Sequence, residues 1–436
     1  MTTYHSIAAP LFASVAAGGG GAEAIRELHA AQVSKHLLLI GHLLDSWPVD
    51  LPGRDAVAST LERARHAAPE AFRDVIGAPL VGSWSGIVTR ALEHGGAAQV
   101  DFLHLGALAV VACAAAGLDG SAELPVHHGT VVLPGLGAVE APNATRAEAI
   151  VEAGRIVVRT EAPNEAGTFV VPADAAEPGR GWQPVRALRG AAAGLAIKLE
   201  LDDVHPYRHG HHVPPANRLG ESEVELWREV FAESWCLLAE LCRERATELT
   251  AGLRTLVPLV QQDARTARSA TIRHAFGVFG LTRPPSAAEF AVTMVHEFQH
   301  SKLSALLDLV PLTDPDDAGR YFAPWRIDAR PLAGLLQGVY AFAGVADTWR
   351  ALRGAPELAD LAERRFVESR LQVDRGLSSI EKSGALTPEG EVLAARLRTA
   401  TDALLAEPAA AGLVRAAEAD LRRTYQLWQD RNGTAA

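Results

Sequence analysis

Apolar positions recur at helical spacing over residues 22–47 (Ile25, Leu28, Ala31, Val33, Leu37, Leu38, Ile40, Leu43), and two shorter helices are predicted over 54–67 and 70–76. Residues 105–118 are apolar on every side, too short and too rich in Ala and Gly to span a bilayer, and read as a buried core helix. From 124 to 201 the character changes. Gly, Pro and Asn punctuate short β-branched runs (130–133, 155–160, 168–171 and 195–201), which predict antiparallel strands. Helical patterning returns over 222–257, and an extended piece over 267–279 precedes a long apolar helix. A further helix is expected from Pro331 to about Arg350, with an Ala/Leu/Arg/Glu-rich helical tail over 357–428. The fold class that follows is α+β, mainly α with a smaller antiparallel β region. One unit spans 1–436: a helical part over 1–123, a β-rich part over 124–220 and a helical metal-site part over 221–436. No linker and no repeat divides it.

The long helix after Pro284-Pro285 carries the chemistry. Ser286 and Glu289 have capping-box spacing, and no Gly or Pro intervenes before Pro311, so 287–310 makes about 24 residues, roughly 36 Å, of helix. Within it stands His296-Glu297-Phe298-Gln299-His300. HExxH on a helix sets two imidazoles one turn apart on one face, as in zincin-like metal helices. The plain alternative is three polar groups satisfied within a core. Apolar residues on most sides (Phe290, Met294, Val295, Phe298, Leu303) weigh against it, because each unsatisfied buried group costs about 1 to 3 kcal/mol.

A zinc peptidase would need a third ligand downstream, commonly Glu or His. No histidine follows His300, and the first glutamate after it is Glu357. Gln337 and Asp328 are the oxygen donors to consider. Gln337 sits among Gly334, Gly338, Ala341 and Gly344, a face small enough for close helix approach; its alternative role is a hydrogen bond within that contact. Between the helices, Arg326 and Arg330 stand four apart beside aromatic residues. Their forks suit an anionic cosubstrate such as a 2-oxoacid, or pairing with Asp314, Asp316, Asp317 or Asp328. His205, His209, His211 and His212 form a second cluster, read as a solvated loop rather than a metal site.

Net charge of −11 and a pI near 5.8 disfavour nucleic acid, and 48% apolar content supports a large core. Cys113, Cys236 and Cys242 lack metal-ligand spacing and suit a reducing compartment. The first Lys or Arg is Arg26, which argues against a signal peptide, so a cytoplasmic protein outside the membrane is expected; a homodimer is compatible with the chain.

Several segments together resemble the bacterial HExxH-domain family of peptide-modification proteins. They are Arg273-His274-Ala275-Phe276-Gly277, residues 291–310, Pro324-Trp325-Arg326, Arg330-Pro331 and residues 336–342. Pro10-Leu11-Phe12, Gly18 to Gly21 and residues 31–35 add to them. The resemblance implies an Fe(II)- and 2-oxoglutarate-dependent oxygenase that hydroxylates a side chain, typically at the β-carbon, of a ribosomally synthesised precursor peptide during natural-product maturation. It implies iron on His296 and His300, with Zn(II) as the alternative metal, and cosubstrate at Arg326 and Arg330. Glu297 becomes a ligand, an orienting group or a vestige of hydrolytic use. The peptide is expected along 267–279 as an added strand, near Arg273, His274 and Tyr340. A zinc peptidase and a noncatalytic peptide-binding protein are the rivals.

Overall fold

The computed structural model describes residues 5–163, 165–209, 213–263 and 267–433. Helices α1 (Ala9–Ala16), α2 (Gly21–Asp45), α3 (Arg54–Ala67), α4 (Pro69–Ile76), α5 (Pro79–Glu93) and α6 (Gln99–Ala115) come first. Nine strands follow: β1 (Gly120–Leu124), β2 (Thr130–Leu133), β3 (Gly137–Glu140), β4 (Arg146–Glu152), β5 (Arg155–Ala162), β6 (Glu165–Val170), β7 (Trp182–Pro184), β8 (Arg186–Ala192) and β9 (Leu195–Leu201). Then come α7 (Glu221–Leu241), α8 (Arg243–Gly252), β10 (Thr255–Pro258), β11 (Ser269–Thr271) and β12 (Val278–Leu281). The chain ends in α9 (Ala287–Leu307), α10 (Leu332–Leu352), α11 (Ala359–Glu381), α12 (Pro388–Ala406) and α13 (Ala411–Asn432). The mixed α+β class agrees with the sequence pattern.

Two large apolar cores divide the work, and α2 runs through both. Its N-terminal half (Ala24, Ile25, Leu28) packs with β8, β9 and α7 to α12, while Ile40 and Leu43 join α3 to α6 and the first strands. The apolar 105–118 run lies within and just beyond α6, whose middle is buried on all sides. Among the described residues no single helix is long and apolar enough to cross a membrane.

Antiparallel pairing holds in the sheets β1-β4-β5-β6 and β2-β3-β7 but not in the third, ordered β11-β12-β10-β9-β8. There β10 runs parallel to both β9 and β12, while β8/β9 and β11/β12 are antiparallel. This corrects two expectations. The 195–201 run joins a mixed sheet, and the helical pattern over 222–257 breaks after Gly252 into β10. Strands β10 and β12 are buried at every position, as parallel strands covered on both faces require. Gly277, at φ +81°, turns the chain into β12; a Cβ there would meet the Gly252 carbonyl oxygen at 2.3 Å.

The consequence for function is β11. It is the edge strand of that sheet, and it lies against α9, the helix that carries His296 and His300.

Candidate metal and anion site

Helix α9 starts where the cap signal stands: the Ser286 hydroxyl accepts the Glu289 amide at 3.2 Å. Each of its faces has a separate task. Phe290, Met294 and Phe298 are buried in the main core. Gln299 donates to the Gly18 carbonyl at 3.0 Å, and Lys302 to those of Gly18 at 3.2 Å and Gly19 at 2.6 Å. His296, His300 and Ser304, spaced four apart, form a third face that opens onto a cleft of about 510 Å³.

The two imidazoles converge. Their Nε2 atoms stand 3.2 Å apart, with the rings nearly perpendicular at 85°. Metal–imidazole bonds of about 2.1 Å, opened by roughly 90 to 110°, place two nitrogens about 3.0 to 3.4 Å apart, so the pair fits one ion. Burial, and secondarily the neighbouring His300, pulls His296 down to about 4, with Glu297 opposing; the ring is a neutral donor at neutral pH.

Gln337 occupies a different position from the one expected of a ligand. Its Oε1 accepts the Nδ1–H of His300 at 3.1 Å, on the far side of the ring from Nε2, while its Nε2 donates to the Ser304 hydroxyl at 3.2 Å. The amide therefore orients the imidazole. Asp328, the other oxygen donor considered, pairs with Arg326 at 3.1 Å and Arg431 at 2.9 Å. Among the described residues no group of three His, Cys, Asp or Glu side chains converges on one point.

Glu297 turns toward the edge strand. Oε1 accepts the Ser269 hydroxyl at 2.7 Å and Oε2 the Thr271 hydroxyl, while the nearest imidazole nitrogen, His296 Nε2, lies 3.9 Å from Oε1. Sequence reading assigned nothing to Ser269 and Thr271. Their signal was present: two hydroxyls at i and i+2 of an extended segment share one face.

Arg326 and Arg330 both line the cleft. Arg330 has no polar side-chain partner among the described residues, and burial together with the adjacent Arg326 lowers its pKa. The Nε of Arg326 is likewise buried without an acceptor. Two guanidiniums so placed favour an anion between them. Arg273 also reaches the cleft but is anchored to the Ser304 carbonyl at 2.9 Å and Asp308 at 3.0 Å.

Two expected substrate contacts fall elsewhere. His274 packs on α5 beside Gly86, because the chain turns between β11 and β12 and carries it away from the cleft. Tyr340 is wholly buried and donates to the Val15 carbonyl at 2.8 Å. The aromatic wall comes instead from Trp325 and Phe342, stacked at 4.5 Å and 12°, with Phe342 edge-on to His296 at 5.4 Å. Gly338 makes this wall possible, since a Cβ there would fall 2.0 Å from Trp325 Cζ2. Of the small-residue face, Gly344 receives Gln299 and Gly338 receives Trp325.

In the second histidine cluster, His205 is buried rather than solvated and packs with His104 and Tyr207. His211 and His212 lie outside the described residues. Compared with known proteins, the chain matches no family model and no curated protein.

Proposed function

We propose that this cleft belongs to an Fe(II)- and 2-oxoglutarate-dependent oxygenase that hydroxylates a side chain of a ribosomally synthesised peptide. The convergence of His296 and His300 at 3.2 Å, on a cleft that also holds Arg326 and Arg330, carries the reading. His296 and His300 would hold the metal, which when bound supplies oxidative decarboxylation of a 2-oxoacid coupled to oxygen insertion into a C–H bond. Arg330, which has no carboxylate partner among the described residues, would grip the far carboxylate of the cosubstrate. Gln337 keeps His300 in the tautomer whose Nε2 faces the cleft. Along β11 an extended peptide would add as a further strand, its side chain entering beside Trp325 and Phe342, which exclude water from the reacting bond.

Glu297 is engaged by Ser269 and Thr271, which favours a role in fixing the edge strand to α9 over activation of water. The test is direct. Protein purified anaerobically receives iron, 2-oxoglutarate, air and a candidate peptide. A gain of one oxygen in the peptide with succinate formation is expected. Oxygen-independent cleavage would make it a zinc peptidase, and a His296→Ala variant that still supports product formation in cells would make it a noncatalytic peptide binder.

A further inference from the structure

A second cleft, of about 550 Å³, lies between the segment at Arg320, α11 and α13. Arg375, Ser378, Ser379 and Lys382 project into it from one face of α11, at i, i+3, i+4 and i+7, and Arg320 faces them from the loop. The acidic residues that flank this face are neutralised elsewhere: Arg398 binds Asp374 at 2.6 Å and Glu381 at 2.9 Å. No carboxylate lines the cleft, and among the described residues none pairs with Arg320, Arg375 or Lys382. The Arg375 guanidinium rests over the Tyr425 ring at 5.0 Å, and Arg320 donates to the carbonyls of Ala318 and Gly319, at 3.3 and 3.0 Å. Three uncompensated cations gathered in a chain of net charge −11 mark a place that attracts anions against the field of the whole molecule.

The spacing selects the kind of anion. Arg375 and Lys382 are two helical turns apart, about 10 Å along the axis, too far for one small anion to bridge. An extended chain rises about 3.3 Å per residue, so carboxylates three residues apart match it. The cleft also adjoins the site on α9. Tyr321, on its wall, exchanges backbone hydrogen bonds of 2.8 and 3.0 Å with Arg330, which lines the metal-site cleft, so one strip of chain separates the two.

We propose that this second cleft docks an acidic, extended segment of the peptide substrate, remote from the residue that reacts. The identity of the docked chain rests on the peptide reading above, whereas its acidic character rests on this cleft alone.

Fluorescence anisotropy with the full chain tests it, using a labelled Gly/Ser peptide with aspartate at every third position and a matched lysine peptide. The aspartate peptide should bind, and more weakly as salt rises. Arg375→Glu with Lys382→Glu should weaken binding about tenfold or more, while His296→Ala leaves it within about twofold. The milder pair Arg375→Gln and Lys382→Gln, checked by circular dichroism, guards against a misfolded reversal variant. Equal binding of the lysine peptide, indifference to both pairs of substitutions, or displacement by an oligonucleotide as readily as by aspartate peptide would overturn the proposal. Aspartate-peptide binding without hydroxylation in the assay above would remove the catalytic reading and leave this cleft standing. Hydroxylation unaffected by the Arg375 and Lys382 variants, together with no aspartate-peptide binding, would do the reverse.

Discussion

His300 donates its Nδ1 proton to Gln337 Oε1 across 3.1 Å, and that bond decides which nitrogen meets the cleft. A neutral imidazole with its proton on Nδ1 has its lone pair on Nε2, the atom 3.2 Å from His296 Nε2. Gln337→Leu removes the acceptor without adding charge. Co(II) affinity, read from its visible absorption, should fall about 10- to 100-fold, and Gln337→Glu, which restores an acceptor for Nδ1–H, should recover much of it. Unchanged affinity in Gln337→Leu would mean that the ring is held by packing alone.

Arg330 lies beside Arg326, and among the described residues no carboxylate pairs with it, Asp328 acting on it only at longer range, so its charge is available to a ligand. Replacing it with Gln should raise the dissociation constant for 2-oxoglutarate by about 10- to 100-fold, the range of a charge-assisted hydrogen bond, with Lys restoring part. Arg326→Gln should cost less, because Asp328 already holds that side chain at 3.1 Å. Isothermal calorimetry separates the two. Equal and small effects would send the cosubstrate carboxylate elsewhere.

Much of this site was readable from the chain. Ser286, the apolar spacing and the absence of Gly or Pro mark α9, and the HExxH spacing places both imidazoles on one face before any fold is known. Strand β10 escaped because a short apolar run such as Thr255–Pro258, buried at every position, shows no alternation to separate it from the end of a helix. Tyr340 misled for a related reason. It follows Gln337 by three residues, yet it projects inward to Val15, and only tertiary packing decides which side of a helix apolar all round is inside. The partners of Glu297 required β11 to pack against α9, which places Ser269 and Thr271 beside a residue 28 and 26 positions further along the chain, a contact that no local pattern shows.

Acid should destabilise the fold through three buried histidines, which outnumber the buried carboxyl of Glu200, raised by burial to about 7 and working in the opposite direction. Burial lowers His36 to about 4 and His205 to about 3, and pulls His104 far below its usual range, with neither of its ring nitrogens partnered. Unfolded, each takes a proton near 6.5; folded, each refuses it. The unfolded chain therefore binds more protons as pH falls below 6.5, and stability declines from there toward the folded values, with no matching loss above neutrality. For His36 the shift corresponds to on the order of 3 kcal/mol. Urea midpoints at pH 7.5 and 5.0 measure it, and His104→Phe, which keeps a ring and removes the titration, should flatten the difference. A pH dependence identical in His104→Phe and the parent chain would show that this ring is hydrated.

Lys302 and Glu248 hold the loop of Gly18 to Gly21 beneath α9, and their removal should show which half of the pair costs more. Lys302 is fully buried, donates to Glu248 at 2.8 Å and to the carbonyls of Gly18 and Gly19, and keeps its proton at neutral pH, burial lowering it only to about 8. Arg245 shares the same carboxylate at 3.4 Å and reaches Asp347 at 3.0 Å. Lys302→Met leaves Glu248 with two longer contacts, Arg245 at 3.4 Å and the Gly21 amide at 3.3 Å, and leaves two carbonyls with fewer donors, so a loss of about 3 to 5 kcal/mol in urea unfolding is expected. Adding Glu248→Gln removes the stranded charge and should return part of it, because the penalty of the single variant is chiefly the desolvated carboxylate rather than the lost attraction. Additive losses in the double variant would mean that Arg245 and the Gly21 amide satisfy Glu248 and that Lys302 contributes through the glycine carbonyls.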